Sequence, residues 1–251
     1  MKIFFHQDFF DVYAFDPAAG RGRLEPAHER LAGKYPMVVP EPCREEEILL
    51  VHTPEYVKGV KREKGLYDMA LLAAGAAVAA AEAACAGEPT FALCRPPGHH
   101  ASAGSAWGFC TFNNVAVALK KLLQEGKISS ALVVDFDLHF GDGTVNIFED
   151  DKRVTYWQGP DHSGEPYVSA LEHFLAGVSP DMVAVSAGFD RHRKDWGGLL
   201  WTENYRSMGQ VLGRFARETC SGRLFAVLEG GYNPASMAES MEAFIRGMDS
   251  A

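Results

Sequence analysis

Short apolar runs alternate along the chain with longer segments in which apolar residues recur at helical spacing. The runs predict strands at 2–6, 90–94, 130–137, 153–157, 181–188 and 224–230. The longer segments predict helices at about 66–86, 112–125, 167–176, 202–219 and 234–247. Alternating strands and helices are typical of βαβ units, and Val-rich strands without polar alternation indicate burial on both faces. We therefore expect an α/β fold with a mostly parallel, multi-stranded sheet and helices on both faces.

Four of the predicted strands lead directly into segments that carry histidine, aspartate or tyrosine. These segments are 95–100, 135–143, 189–192 and 230–233. In open parallel sheets, ligands bind beyond the carboxyl ends of the strands. Polar residues scattered through a core would not cluster at these ends, so this edge of the sheet is the predicted functional site.

The sequence Asp-Phe-Asp-Leu-His at 135–139 predicts a metal site. On an extended chain alternate residues share a face, so Asp135, Asp137 and His139 would point one way. Carboxylate and imidazole are ligands for zinc, and Asp190 at the end of another strand is the candidate third ligand. Taken alone, Asp190 is more often a helix cap or turn residue. Three protein ligands and one open position are typical of a catalytic metal, at which water takes the fourth place.

Two adjacent histidines, His99 and His100, follow two prolines and a glycine. Imidazole can take and return a proton near neutral pH, which a hydrolytic metal site requires. Asp135 and Asp142 are the carboxylates left to orient them, one for each ring. Taken alone, this stretch would more often be a turn with surface histidines, but beside the aspartate-rich segment it is interpreted as part of a catalytic site.

Tyr232 follows two glycines, where the backbone can approach a ligand closely. A phenol beside a metal-bound carbonyl would donate a hydrogen bond to the developing oxyanion. The alternative is a loop tyrosine that packs on the surface.

Composition narrows the class of protein. The formal net charge is −9, so nucleic acid is not an expected partner, whereas a cationic substrate remains compatible. The length of 251 residues suits one domain over 1–251, with two smaller domains as the alternative. No signal peptide is evident at the first residues, and five scattered cysteines suit a reducing cytoplasm. The Ala-rich stretch 69–87 is interrupted by Glu82, which predicts a packed helix and no membrane partner.

Five motifs keep their order over residues 95–240. They are RPPGHHA, GFCTFNNVAVA, VVDFDLHFGDGT, SAGFDRHRKDWGG and LEGGYNPASMAES. In these motifs the chain resembles the zinc-dependent deacetylases of the histone deacetylase and acetylpolyamine amidohydrolase superfamily, as a short bacterial-type member. The resemblance implies the three-layer fold shared with arginase.

The resemblance also implies a role for each matching residue. It places one Zn²⁺ per chain on Asp137, His139 and Asp190, with Fe²⁺ as the alternative in the cell. His100 would be the general base and then the general acid. Tyr232 would polarise the acyl carbonyl.

The remaining motif residues would support this chemistry. His99 would act electrostatically and be held by Asp135, while Asp142 would hold His100. Gly108 and Phe109 would line the channel that receives the acylated side chain. The implied substrates are acetyl-lysine, an acetylated polyamine or another small acylated amine.

The chain also departs from the family pattern. The segment after 153–157 that normally supplies part of a monovalent cation site and the second channel wall is replaced by QGPDHSGEPY. A structural K⁺ near Asp135, Asp137 and His139 is therefore an open question. The loop that usually reaches over the site, the one carrying an acidic residue, has no clear counterpart, so a more open site is expected. Phe140 stands where relatives carry a second histidine and is expected to point away from the metal.

Two alternatives remain at this point. An arginase-like two-metal hydrolase would need carboxylates at 141 and 192, where the chain has Gly141 and His192. A catalytically silent acyl-amine binding module would keep the pocket without turnover. The oligomeric state does not follow from the sequence.

Overall fold

Seven parallel strands form one sheet in the computed structural model, which describes residues 1–250. The strands are β1 (Lys2–Phe4), β2 (Met37–Val38), β3 (Thr90–Ala92), β4 (Ala131–Asp135), β5 (Val154–Gln158), β6 (Met182–Ala187) and β7 (Leu224–Leu228). Their order across the sheet is β2-β1-β3-β7-β6-β4-β5. The predicted α/β class with a parallel sheet is confirmed, and β3, β7, β6 and β4 are adjacent at its centre.

Nine α-helices and one 3₁₀ helix, Gln7–Phe10, accompany the strands within residues 1–250. The α-helices are α1 (Glu25–Leu31), α2 (Glu45–Ile48), α3 (Pro54–Val60), α4 (Lys64–Ala84), α5 (Asn114–Gln124), α6 (Asp142–Phe148), α7 (Glu165–Leu175), α8 (Thr202–Thr219) and α9 (Pro234–Ser250). One group packs around α4 and contains α2, α3 and α5, while α8 packs against α7 and α9, and α1 against α9. Helices α4 and α8 both contact β7, so the two groups flank the sheet as helical layers.

Helix α4 contributes a small-residue face to the core. Its alanines from Ala73 to Ala81 are almost all fully buried, because small side chains let the helix lie close to its neighbours. It is the one helix in the described part of the chain that is long and apolar enough to cross a membrane, and 61% of its 18-residue window is buried inside the fold. The structure therefore places these apolar residues against protein, as expected for a packed helix.

The predicted strands extend too far at their carboxyl ends. The sequence predicted strand residues as far as 94, 137, 188 and 230, whereas β3, β4, β6 and β7 end at 92, 135, 187 and 228. The residues beyond these points remain buried but leave the ladder of the sheet. The residues just beyond these strand ends contribute to the candidate site.

Candidate active site

Strand β4 ends at Asp135, and two consecutive turns follow, each stabilised by an aspartate side chain. Asp135 Oδ1 accepts a hydrogen bond from the backbone N–H of Asp137 at 3.0 Å. Asp137 Oδ1 accepts one from the backbone N–H of His139 at 2.9 Å. An aspartate that captures the N–H two residues on forms a local turn that competes with the sheet. The prediction of a single extended face was therefore wrong in its backbone, although Asp137 and His139 do converge.

Asp137, His139 and Asp190 bring one ligand atom each within 4.8 Å of one another. The Nδ1 atom of His139 lies 3.2 Å from Asp137 Oδ1 and 3.1 Å from Asp190 Oδ2. Both carboxylates are buried, and Asp190 Oδ2 has no conventional hydrogen-bond partner. Two carboxylates and one imidazole are a donor set that zinc accepts, so the residues present fit a divalent cation.

The electrostatics of these groups favour a cation at the same point. The adjacent carboxylates of Asp137 and Asp190 raise the pKa of His139 to about 10. Burial and the nearby Asp137 raise the pKa of Asp190 to about 6. Burial also opposes ionisation of Asp137, but His99, His139 and a backbone N–H together hold its pKa below the ordinary value. A divalent cation would neutralise this repulsion between carboxylates more fully than one proton does.

Gly230 lets the backbone approach the buried carboxylates. Its N–H donates to Asp137 Oδ2 at 2.8 Å. A Cβ atom at this position would lie 2.5 Å from Asp137 Oδ2 and 2.8 Å from Asp190 Oδ2, well inside contact distance. The glycine after β7 is therefore required by the close packing of the aspartates.

Each histidine of the pair has its own carboxylate. His99 Nδ1 lies 3.0 Å from Asp135 Oδ2, and His100 Nδ1 lies 2.7 Å from Asp142 Oδ1. The structure thus brings together both pairs in the combination that the sequence resemblance implied. Both rings line the same pocket, and Nε2 of His99 lies 3.7 Å from Asp137 Oδ1.

The pKa values of the two imidazoles are shifted in opposite directions by their surroundings. Burial disfavours a charged His99, but Asp137 and Asp135 outweigh it and hold its pKa well above the ordinary value. Burial and the charge of His99 hold the pKa of His100 below its ordinary value. These opposed directions favour a charged His99 beside a neutral His100, and opposed shifts of this kind are typical of paired acid and base groups in active sites.

Glu229, a residue that the sequence analysis did not single out, anchors the histidine loop. Its Oε2 atom accepts hydrogen bonds from the backbone N–H groups of Gly98 at 2.6 Å and His99 at 3.1 Å. The side chain is fully buried at the end of β7. A lone glutamate directly after an apolar strand was the available signal, since such a residue needs buried partners.

A second set of donor atoms, from His99, Cys110 and Glu229, also lies within 4.8 Å. Burial raises the pKa of the Cys110 thiol well above its usual range and that of Glu229 to about 7. Metals bind the thiolate and carboxylate forms, so these shifts disfavour a metal there. We interpret this set as support for the histidine loop.

Aromatic side chains wall a pocket of about 150 Å³ above the histidines. The walls are Trp107, Phe109, Trp196 and Tyr232, while His99, His100 and His139 line the base. The second wall, which the sequence analysis expected to be missing, is supplied by Trp196. Its ring stacks on that of Tyr232 at 3.9 Å between centroids, with planes 19° apart.

Two consecutive residues in the left-handed region shape the opposite wall. Gly108 has φ 60° and Phe109 has φ 69°. A Cβ atom at Gly108 would lie 2.5 Å from Cδ2 of His100, so only glycine fits beside that ring. Positive φ is unusual for phenylalanine, and here it directs the ring into the pocket, 5.9 Å from that of Tyr232.

The loop that carries Tyr232 is fixed from two sides. Asp195 Oδ2 accepts hydrogen bonds from the backbone N–H groups of Tyr232 and Asn233, both at 2.8 Å. The buried guanidinium of Arg23 donates to the carbonyls of Gly231 at 2.8 Å and Glu229 at 2.6 Å. Neither Arg23 nor Asp195 was identified from the sequence, because each acts through backbone groups distant in the chain.

The positions that an arginase-like second metal would need are otherwise engaged. Gly141 packs against the Asp135 carboxylate and the Tyr156 hydroxyl, where a Cβ atom would lie 2.3 Å and 2.6 Å away. His192 stacks on Tyr205 with centroids 6.3 Å apart. Phe140 is 57% exposed and packs edge-on against Tyr156, so it points away from the metal donors.

Comparison with protein families gives an independent result. The model of the histone deacetylase domain matches residues 21–167 and 159–248 of the chain. A probable deacetylase of Methanothermobacter thermautotrophicus is 33% identical over 259 residues, covering 81% of this chain and 76% of the relative. A probable deacetylase of Archaeoglobus fulgidus is 34% identical over 242 residues, covering 75% of this chain and 67% of that relative.

Similar proteins also occur in eukaryotes. The human polyamine deacetylase HDAC10 is 33% identical over 262 residues, which cover 78% of this chain but 39% of that protein. Among solved structures, the crystal structure of the HDA15 HD domain superposes with a TM-score of 0.88 at 28% sequence identity. That match covers 99% of this chain and 90% of the solved chain.

Proposed function

The chain belongs to the histone deacetylase family, and on that premise we propose that it uses one zinc ion to remove acetyl or a related acyl group from an amine. The observation that carries the proposal is the convergence of two sets of groups on one pocket. The donor atoms of Asp137, His139 and Asp190 lie together, and the two carboxylate-paired histidines face the same space. A binding site for an amide would not need this combination.

The metal, held by the two aspartates and His139, would polarise the acyl carbonyl and make water acidic enough to lose a proton near neutral pH. His100 is the residue that would take the proton at Nε2, because Asp142 holds its Nδ1 at 2.7 Å and its pKa is lowered. It would return a proton to the leaving amine. His99, charged and buried beside Asp135, would stabilise negative charge that develops on the acyl group.

Tyr232 would complete this arrangement as a hydrogen-bond donor to the acyl oxygen. Its backbone is fixed by Asp195, and its ring packs against both Phe109 and Trp196. Burial raises the pKa of the phenol above its ordinary value, so the hydroxyl keeps its proton and can donate. A rigid donor directed at a developing oxyanion contributes to the rate without reorganisation at the moment of reaction.

The substrate that we propose is a small acylated amine, with acetylated polyamines and acetyl-lysine as the two leading classes. The pocket is narrow and aromatic, which suits an alkyl stem that ends in an amide. The net charge of −9 favours approach of a substrate that keeps a second, cationic amine. One relative, human HDAC10, carries polyamine deacetylase in its name, which adds to the case for that class.

The alternative is a silent binding module of the same fold. It is disfavoured because a binding module has no need for a neutral base and a charged partner in adjacent positions. We also propose a cytoplasmic location, since all five cysteines are free and scattered. Neither nucleic acid nor membrane is part of the proposal.

The test is hydrolysis by purified, zinc-loaded protein of a fluorogenic acetyl-lysine amide, a panel of acetylated polyamines and small amides. Turnover should be lost in His100→Ala and kept in His173→Ala, which removes an exposed imidazole from α7. Metal analysis should give one zinc per chain in all three proteins, with ferrous iron loaded in parallel. Binding without turnover by the unmodified protein would support the silent module instead.

A further inference from the structure

Family resemblance implies a monovalent cation beneath the metal site, and such a cation would need the backbone carbonyls of Asp137 and His139. Potassium is typically held in proteins by carbonyl oxygens that replace its hydration shell. In this chain hydrogen-bond donors already fill the space that faces these two carbonyls. The side-chain amide of Gln158 donates from Nε2 to the carbonyl of Asp137 at 3.2 Å and of His139 at 3.0 Å.

The orientation of the Gln158 amide is fixed by its other atom. Oε1 accepts a hydrogen bond from the backbone N–H of Gly141 at 3.2 Å and lies 2.9 Å from the Tyr156 hydroxyl. A flipped amide would direct an NH₂ group at the N–H of Gly141 and leave two carbonyls facing an oxygen. The amide N–H groups therefore point at the carbonyls, and a cation placed there would meet hydrogens instead of oxygens.

Arg191 approaches the same carbonyl from another side. Its Nε atom donates to the carbonyl of Asp137 at 3.0 Å. The side chain is 1% exposed, and its guanidinium lies over the ring of Tyr167 at 5.1 Å and 3.5 Å from Asp161 Oδ1. Buried arginine is rare without such compensation. A fixed positive charge thus sits directly behind the aspartates of the candidate metal site.

We infer that Gln158 and Arg191 replace the monovalent cation, so that this protein neither binds nor requires potassium at that position. The amide satisfies the carbonyls, and the guanidinium supplies the positive charge beside Asp137. The potassium site that is typical of the family therefore does not fit the residues that are present. This inference rests on side-chain contacts within the fold and stands whether or not the proposed substrate class is correct.

The first test compares KCl, NaCl and choline chloride at constant ionic strength. Thermal unfolding of the protein without added divalent metal should give the same melting temperature in all three salts. Deacetylase turnover by zinc-loaded protein should likewise be equal. A rise in melting temperature that is selective for potassium would overturn the inference, independently of any activity.

The second test removes the two side chains that are proposed to replace the cation. Gln158→Ser keeps an oxygen but removes the amide donor, and Arg191→Ala removes the charge. In choline chloride the double variant should lose roughly 5–10 °C of its melting temperature. Replacing choline with potassium at the same ionic strength should restore part of this loss. A double variant as stable as the unmodified protein in choline would contradict the inference.

Direct detection of a cation completes the design. Crystals soaked in rubidium chloride should show no anomalous peak between the carbonyls of Asp137 and His139 in the unmodified protein, and a peak there in the double variant. A peak in the unmodified protein would overturn the inference. If the double variant does not fold, Gln158→Ser alone serves the same comparison. Arg193→Ala, which removes an exposed guanidinium two residues away, is the matched control and should leave all salt responses unchanged.

Discussion

The floor and the rim of the pocket are built on different principles. The floor consists of Asp135, Asp137, His139 and Asp190, and its three carboxylates are at most 1% exposed. The rim consists of Trp107 and Trp196, whose side chains are 55% and 53% exposed. Floor residues are held by backbone N–H groups and by one another. The rim rings stack on His100 and Tyr232, and Trp107 also donates from Nε1 to the Asp142 carboxylate at 2.9 Å.

Because of this difference, we expect the floor to determine catalysis and the rim to determine substrate preference. A floor group that moves leaves a buried charge without its partner, which costs several kcal/mol in a low-dielectric site. A rim ring that is lost exposes a neighbouring ring to water at much smaller cost. We therefore expect changes in the floor to abolish catalysis and changes in the rim to alter which amines are accepted.

The largest effect is expected for Asp190→Asn. The amide keeps the shape of the side chain but removes the charge that pairs with His139 at 3.1 Å. Loss of a directly coordinating carboxylate should lower metal affinity by at least the ~10–100-fold seen for supporting residues, and turnover by about 10³-fold or more. Metal content by mass spectrometry and kcat/KM on the preferred substrate measure both.

The matched control for this change is Asp161→Asn, whose carboxylate is 90% exposed. It should retain metal and turnover. If Asp190→Asn kept full metal content and activity, the assignment of the floor would be wrong.

Tyr232 joins the two regions, since its hydroxyl is the proposed donor to the acyl oxygen and its ring stacks on Trp196 of the rim. Tyr232→Phe preserves the stacking and removes only the donor. We expect kcat to fall by roughly 10²–10³-fold with little change in KM, by analogy with other oxyanion donors. Tyr35→Phe, remote from the pocket on the segment before β2, is the control and should leave kcat unaltered. An equal loss in both variants would remove Tyr232 from the mechanism.

The floor could be predicted from the sequence because its residues directly follow strands. Apolar runs located β3, β4, β6 and β7, and parallel strands bring their carboxyl ends to one edge. The geometry within that edge was less accessible. The turns at Asp135 and Asp137 depend on side-chain capture of backbone N–H groups, which alternation along a strand does not anticipate.

The rim and the supporting residues could not be predicted in the same way. Trp196 lies in a loop with no periodicity, and its stacking on Tyr232 joins residues 36 positions apart. Arg23 acts on carbonyls more than 200 residues away. Contacts of this kind leave no local pattern, because they depend on how loops pack once the sheet has formed. The short helices α1, α2, α3 and α6 were missed for a related reason, since four to seven residues carry too few periodic positions.

Gly108→Ala tests how tightly the residue after Trp107 of the rim positions the ring of His100. The added Cβ would lie 2.5 Å from Cδ2 of His100, and the backbone at φ 60° disfavours any side chain. The ring of His100 must shift, and a displacement of about 1 Å at a catalytic group can cost up to ~10²-fold in rate. We expect kcat to fall by about 10–100-fold with metal content unchanged. Gly104→Ala is the control in the same loop, because a Cβ there meets no atom closer than 3.9 Å.

The smallest effect, and the sharpest test of the comparison, is expected for Trp196→Ala. Its ring contributes a wall of the pocket and a stacking partner for Tyr232 but no hydrogen bond to the floor. An aromatic contact contributes about 0.5–1.5 kcal/mol beyond its buried area, so KM should rise by roughly 3–10-fold while kcat changes little. Trp201→Ala is a close control, because Trp201 is equally exposed at 53% but lies outside the pocket. The rise in KM should differ between acetyl-lysine and acetylated polyamines, since only a wall that touches substrate can discriminate between them. A fall in kcat as large as that of Tyr232→Phe, with KM unchanged, would mean that rim and floor are not separable and that Trp196 acts by holding the phenol in place.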